Sequence, residues 1–181
     1  MTRRKLLQVT AGATVPGLAA LVGFANHNAI FANDDDDEGQ EALIKALGAA
    51  KINLQQGLAA GAQEGQPISV KFEVDDGKFQ LSVYTVKDGK FSELLVDYAD
   101  GKVTKSEPIT QGDDLAAANS QWEAMATATT SLKDAVDKAV AASANLRAVS
   151  AVPSLKDDGH PVASIVLLDG EQFKTVEQPL D

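Results

Sequence analysis

Between residues 69 and 109 apolar side chains recur at every second position, and Asp-Gly pairs interrupt them at short intervals. Val70, Phe72 and Val74 fall on one face, Asp75-Asp76-Gly77 turns the chain, and Phe79, Leu81 and Val83 resume the alternation up to Asp88-Gly89. Phe91 to Tyr98 reads as a third strand, Asp100-Gly101 as a third turn, and Lys102 to Ile109, with Pro108 near its end, as a fourth strand. A period of two puts alternate side chains on opposite faces of a pleated ribbon, and Asp-Gly suits the two positive-φ positions of a type I′ turn. This segment is therefore expected to form an antiparallel meander with one face toward water.

Helical periods flank the meander. Ile44, Leu47, Leu54 and Leu58 lie on one stripe among alanines, which predicts one helix from Gln40. Asp37 would serve as its N-cap with Gln40 in the capping-box position, and Gly61, Gly65 and Pro67 would end it. From Asp114 the same period returns, with Leu115, Trp122, Met125 and Thr129 on one face, then Leu132, Val136, Ala139 and Val140. Ser131 with Asp134 marks a new cap and hence a break near Thr130. Strands are expected again at 145–152, 161–168 and 172–179, separated by Asp157-Asp158-Gly159 and Asp169-Gly170.

The two halves share an order. A helix and a strand precede Asp75-Asp76-Gly77, and Gly89 follows twelve residues after Gly77; a helix and a strand precede Asp157-Asp158-Gly159, and Gly170 follows eleven residues after Gly159. Phe91 and Phe173 then occupy nearly the same place after each second turn. The expected fold class is α+β, as two repeats of a helix followed by a three- to four-stranded antiparallel sheet, one over residues 40–109 and one over 110–181. A unit of this size alone buries little, so the two are expected to pack on each other.

Three stretches carry a family resemblance: the helix Glu41-Ala42-Leu43-Ile44-Lys45-Ala46-Leu47, the strand pair from Ser69 to Val86, and Leu95-Val96-Asp97-Tyr98-Ala99-Asp100-Gly101-Lys102-Val103. The arrangement resembles the PepSY family, small exported domains whose helix precedes an antiparallel sheet and whose close is an apolar-apolar-Asp run followed by Gly-Lys-Val. The second unit, over Ser131 to Asp181, lacks the Gly-Lys-Val close. The resemblance implies an extracytoplasmic, non-catalytic module that recognises or regulates another exported protein, a peptidase among the proposed partners. It carries no catalytic residues to transfer.

The N-terminus agrees with export. Met1-Thr2-Arg3-Arg4-Lys5 is basic, and Leu6 to Ala25 is apolar but diluted by Gln8, Thr10, Gly12, Thr14, Pro16 and Gly17. Thr2-Arg3-Arg4-Lys5-Leu6-Leu7 resembles the twin-arginine motif, with Arg3 and Arg4 as its signal residues and Leu6 in place of the usual Phe. An ordinary secretory signal is the other reading. Pro16 and Gly17 argue against a permanent membrane span. Residues 1–32 are expected to leave after Ala32, with Ala25 and Ala29 as other cleavage positions, followed by an extended acidic linker over 33–39. The localisation expected is periplasmic or secreted.

Removing residues 1–32 takes Arg3, Arg4 and Lys5, leaving 13 basic residues against 26 acidic ones and a net charge of −13. Nucleic acid and anionic membrane surfaces are disfavoured as partners, and a neutral or basic protein surface is favoured. Arg147 is the one arginine remaining, so no cluster exists to hold phosphate or carboxylate bidentately. The chain has no Cys, which excludes disulfides, thiolate metal sites and cysteine nucleophiles.

No cofactor and no catalytic residue is expected. His160 is the one histidine beyond the signal, in a turn between Gly159 and Pro161, and no Gly-x-Ser-x-Gly elbow accompanies it. Zinc lacks ligands for the same reason. Asp34, Asp36 and Glu38 before Gly39 imitate the start of a calcium loop, but Ala42 and Lys45 stand where later ligands belong, so they are weak metal candidates only. A small-ligand or cation (calcium) binding protein, using this run or a cleft between units, is the alternative function. Trp122 is expected as a core anchor, and Tyr84 and Tyr98 as a binding surface on the strands.

Overall fold

The computed structural model describes residues 37–142 and 145–181. Its elements run α1 (Asp37–Leu47), α2 (Leu54–Gly61), β1 (Gln66–Asp75), β2 (Lys78–Lys87), β3 (Lys90–Val96), β4 (Val103–Ile109), α3 (Gly112–Thr127), α4 (Leu132–Val140), β5 (Leu146–Leu155), β6 (Pro161–Asp169) and β7 (Gln172–Pro179). All seven strands join one antiparallel sheet in the order β4-β3-β2-β1-β5-β6-β7. The fold is α+β. Reading outward from the central β1–β5 pair, strands follow chain order on both sides, so the strands expected as two small sheets form a single layer. The core is continuous across it, from Leu47, Leu54 and Leu58 through Val70, Leu81 and Val83 to Ile165 and Leu167.

The single helix expected from Gln40 is two. Lys51 N and Ile52 N donate to Tyr98 O at 2.8 and 3.2 Å, drawing the chain out of helical geometry after Leu47. Asn53 then starts α2 through a reciprocal capping box, its side chain accepting from Gln56 N and the Gln56 side chain accepting from Asn53 N, both at 2.9 Å. The helix α1 begins at Asp37 and includes Glu38 and Gly39, so the end of the expected acidic linker is helical. The expected break near Thr130 is present: α4 opens on Ser131, whose hydroxyl accepts from Asp134 N at 3.1 Å.

The expectation of one wet face for the meander fails on β2, and β5 and β6 likewise bury consecutive side chains. On β2, Leu81 to Val86 are all below a tenth exposed. Leu81 and Val83 pack under α2, and α4 lies beside α2, where Gln55 Nε2 donates to Asp137 Oδ1 at 3.1 Å. The opposite face, which carries Ser69 and its β2 neighbour Tyr84, is crossed by α3, where Gln121 Oε1 accepts from Ser69 Oγ at 2.7 Å. This face of α3 is small: Ala118, Gln121, Ala124 and Met125 are buried, with Leu115 and Trp122 half-buried beside them. Thr129, expected on the same face, lies beyond the helix and is exposed.

Two hairpin turns follow the sequence rule. Asp76-Gly77 and Asp88-Gly89 have φ of 48° and 72°, and 51° and 72°, the paired positive values of a type I′ turn. The second half does not repeat them. Leu155 pairs with Pro161, so Asp157-Asp158-Gly159 sits in a longer loop, and Asp169 pairs with Gln172, which puts Gly170 first in its turn. The turn residues match in order but not in geometry.

Candidate functional site

Two places bring side chains together in a way that structure alone does not require. The first is a polar cluster on the sheet face opposite α2. Register places Glu107, Glu93, Tyr84 and Ser69 side by side across β4, β3, β2 and β1, with Lys71, Glu73, Gln80 and Ser82 in the next rows. Ser82 Oγ donates to Glu73 Oε1 at 2.7 Å, Tyr84 OH donates to Glu93 Oε1 at 3.2 Å, and Lys71 pairs with Glu73. The Lys71 ammonium also stands 5.7 Å from the centre of the Tyr84 ring.

Burial drives the electrostatics here. It pushes the Glu93 carboxyl above the usual carboxylate range; the Ser82 hydroxyl draws it back, Glu73 raises it further, and Tyr84 and Lys71 lower it. Burial, then the carboxylates Glu93 and Glu73, push the Tyr84 phenol well above its ordinary value. Because the folded state holds the Glu93 proton more tightly than the unfolded chain, the ionised carboxylate weakens the fold above its folded pKa. That penalty fades as pH falls through the folded value and is gone below the unfolded one. Glu93→Gln is therefore expected to stabilise the protein at pH 7 by about 0.5–1 kcal/mol, the size of a like-charge cross-strand pair, with the gain vanishing near pH 4. Urea titrations of both proteins at the two pH values measure it; an equal difference at both would contradict the assignment.

Tyr84, expected to point outward, is 8% exposed, its hydroxyl held by Glu93 of β3 and its ring lying beside the Lys71 ammonium of β1. Tyr98 is half-buried, its ring packed on Phe79 at 4.8 Å and its carbonyl occupied by Lys51 and Ile52. The edges are guarded: β4 carries Lys105, Glu107 and Pro108, and β7 carries Lys174, Glu177 and Pro179. Such residues oppose addition of a further strand.

The second place is a cleft of about 410 Å³ at the end of the sheet. One wall comes from Leu58, Ala59 and Ala62 of the α2 segment and Pro67 of β1; the other comes from Met125, the α3–α4 link and Leu132. No sequence period announced it, because its walls are brought together by the link passing from one face of the sheet to the other. The link is tied down by Leu180, whose carbonyl accepts from Thr129 N at 2.7 Å and Thr130 N at 2.8 Å.

His160 is exposed and its Nδ1 lies 2.7 Å from Asp181 Oδ2, with no serine in hydrogen-bond contact. Among the described residues no three His, Asp or Glu side chains are grouped to hold a metal ion, and no helix is long and apolar enough to cross a membrane. Glu38 is exposed on α1; Asp34, Asp36, Arg3, Arg4 and the expected cleavage positions lie outside the described residues. No protein-family model matches the chain, and no curated protein or solved structure shows significant similarity to it.

Proposed function

We propose that the chain is an exported, non-catalytic, PepSY-like binding protein whose two helix-then-meander units, joined at β1–β5, recognise another extracytoplasmic protein. The cleft carries this reading. Its floor is the buried Leu58, Met125 and Leu132 and its rim the more accessible Ala59, Ala62 and Pro67, a small apolar recess at the junction of the units of the kind in which a single anchored side chain supplies much of an interface's affinity. The surroundings set the partner's chemistry. The one charged side chain on the lining, Lys133, is paired with Asp137 at 2.7 Å, and the chain as a whole carries −10, so an apolar side chain on a neutral or basic partner surface fits best. A peptidase is the partner class the PepSY resemblance implies.

Ala59 is exposed on the cleft wall, and Ala59→Trp fills the seat without touching the core. The variant is expected to keep the circular dichroism and melting temperature of the wild type and to lose at least tenfold in retention of any exported protein the wild type captures. Equal retention by both would remove the cleft from the function. A small apolar ligand is the second reading, favoured by the cleft's volume, which lies within the range of small-molecule sites. Calorimetry with calcium before and after deletion of residues 34–38 tests the cation form of that alternative.

A further inference from the structure

The wall of the cleft formed by the α3–α4 link is held in an unusual way. Helices α3 and α4 lie on opposite faces of the sheet, so residues 128–131 must wrap around its end. Between Ala128 and the Ser131 cap, Thr129 is exposed and Thr130 half-buried, and both their N–H groups converge on one acceptor, Leu180 O. Leu180 is itself fully buried and fixed by its N–H, which donates to Pro161 O at 3.0 Å at the start of β6. Asp181 adds the contact to His160. The facing wall, from Leu58 to Pro67, belongs to the other half of the chain and makes no bond to this tie.

We propose that Leu180 is a pin that sets the position of the strap 128–131, so that occupancy of the cleft and docking of Leu180 are coupled. This rests on the reading of the cleft as the binding site. The physical argument is reciprocity: if the docked strap gives the cleft its binding width, an occupant favours the docked state by the same factor that docking favours the occupant. Releasing Leu180 frees two backbone donors and the strap that carries them, and the seat widens. Because the tie uses main-chain groups and one buried side chain, partial loosening of a few residues is enough to alter the site while the sheet stays intact.

The experiment uses the full chain with N-phenyl-1-naphthylamine, a neutral apolar fluorophore, as the probe, and reads amide hydrogen exchange at Thr129 and Thr130. Leu180→Ala is expected to speed exchange at those two amides at least tenfold and to weaken probe binding at least threefold, with β2 and β6 amides unchanged. Leu180→Val, which keeps a branched side chain in the seat, is expected to give intermediate shifts and serves if the alanine variant fails to fold. Saturating probe should slow exchange at Thr129 and Thr130 in the wild type, and Ala59→Trp, whose ring takes the occupant's place, should abolish probe binding and slow exchange at the same two amides. Wild-type exchange at both amides in both Leu180 variants overturns the pin. Absence of probe uptake by the wild type, with Ala59→Trp retaining its captured partner, overturns the cleft reading and the coupling with it.

Discussion

Arg147→Met is expected to cost about 2–3 kcal/mol of stability, from the loss of a charged hydrogen bond and a cation–π contact together. Arg147 is the one arginine among the described residues and is half-buried on β5. Its Nη1 donates at 2.7 Å to Leu47 O, a carbonyl at the end of α1 that also accepts from Ala50 N at 3.2 Å, and its guanidinium lies 5.4 Å from the centre of the Phe72 ring. Phe72 in turn stacks on Phe79 at 5.6 Å. One side chain from the second half thus closes the last turn of a helix from the first. Burial draws the guanidinium pKa down, which marks a desolvation cost and keeps the expected loss below the sum of the two contacts. Lysine at 147 would keep the charge but neither the planar stack nor the fixed donor fork, so it should recover only part of the loss. Urea unfolding measures both variants, and a Met variant within 0.5 kcal/mol of wild type would show that α1 is held without Arg147.

Gly61→Ala should destabilise by about 1–3 kcal/mol, although alanine is the better helix former. A Cβ at Gly61 would stand 2.5 Å from Val83 Cγ1 and 3.3 Å from its Cβ. Valine is stiff about χ1, and Val83 is fully buried in a strand covered on both faces, so neither the side chain nor its backbone can yield cheaply. At Gly57 the conflict is with Leu81 Cδ2 at 2.6 Å, the end of a longer side chain, and the cost of alanine there should be smaller. Gly39 is the internal control: nothing lies within 4 Å of its Cβ position, so Gly39→Ala should stabilise α1 by up to about 1 kcal/mol. Denaturation midpoints of the three variants should fall in the order Gly39, Gly57, Gly61 from most to least stable. Equal midpoints would mean that α2 does not sit on β2 as closely as the geometry states.

Much of the fold was legible in the residues, and the reasons differ from element to element. The strands were readable because Asp-Gly turns and alternation act locally, and residues 66–109 and 146–179 follow them closely. The cap at Ser131 was equally local. The split between α1 and α2 was missed because the apolar stripe continues through it, and the Asn53-x-x-Gln56 capping box was the signal that would have found it. Coverage of both sheet faces had no local signal at all. It depends on α3 presenting Ala118, Gln121 and Ala124, a stripe too small and too polar to stand out, whose buried amide is satisfied by Ser69 fifty-two positions away. Tyr84 was misplaced because its partners, Glu93 and Lys71, come from the strands on either side of it. The cleft is a product of tertiary assembly, and among its walls Leu58, Met125, Thr129 and Leu132 belonged to a readable helical pattern.

The seam at the middle of the sheet differs from every other strand pairing. The ladder between β1 and β2 runs from Gln66 to Asp75, whereas β1 and β5 meet only at Val70 with Ala151 and Lys71 with Ser150. Cohesion between the halves therefore falls mainly to side chains, the Gln55–Asp137 clasp and the arginine reaching for α1 among them, and very little to the main chain. A molecule stitched this way bends along its midline more readily than across it, and a tug on its flanks would part the two ribbons before fraying either.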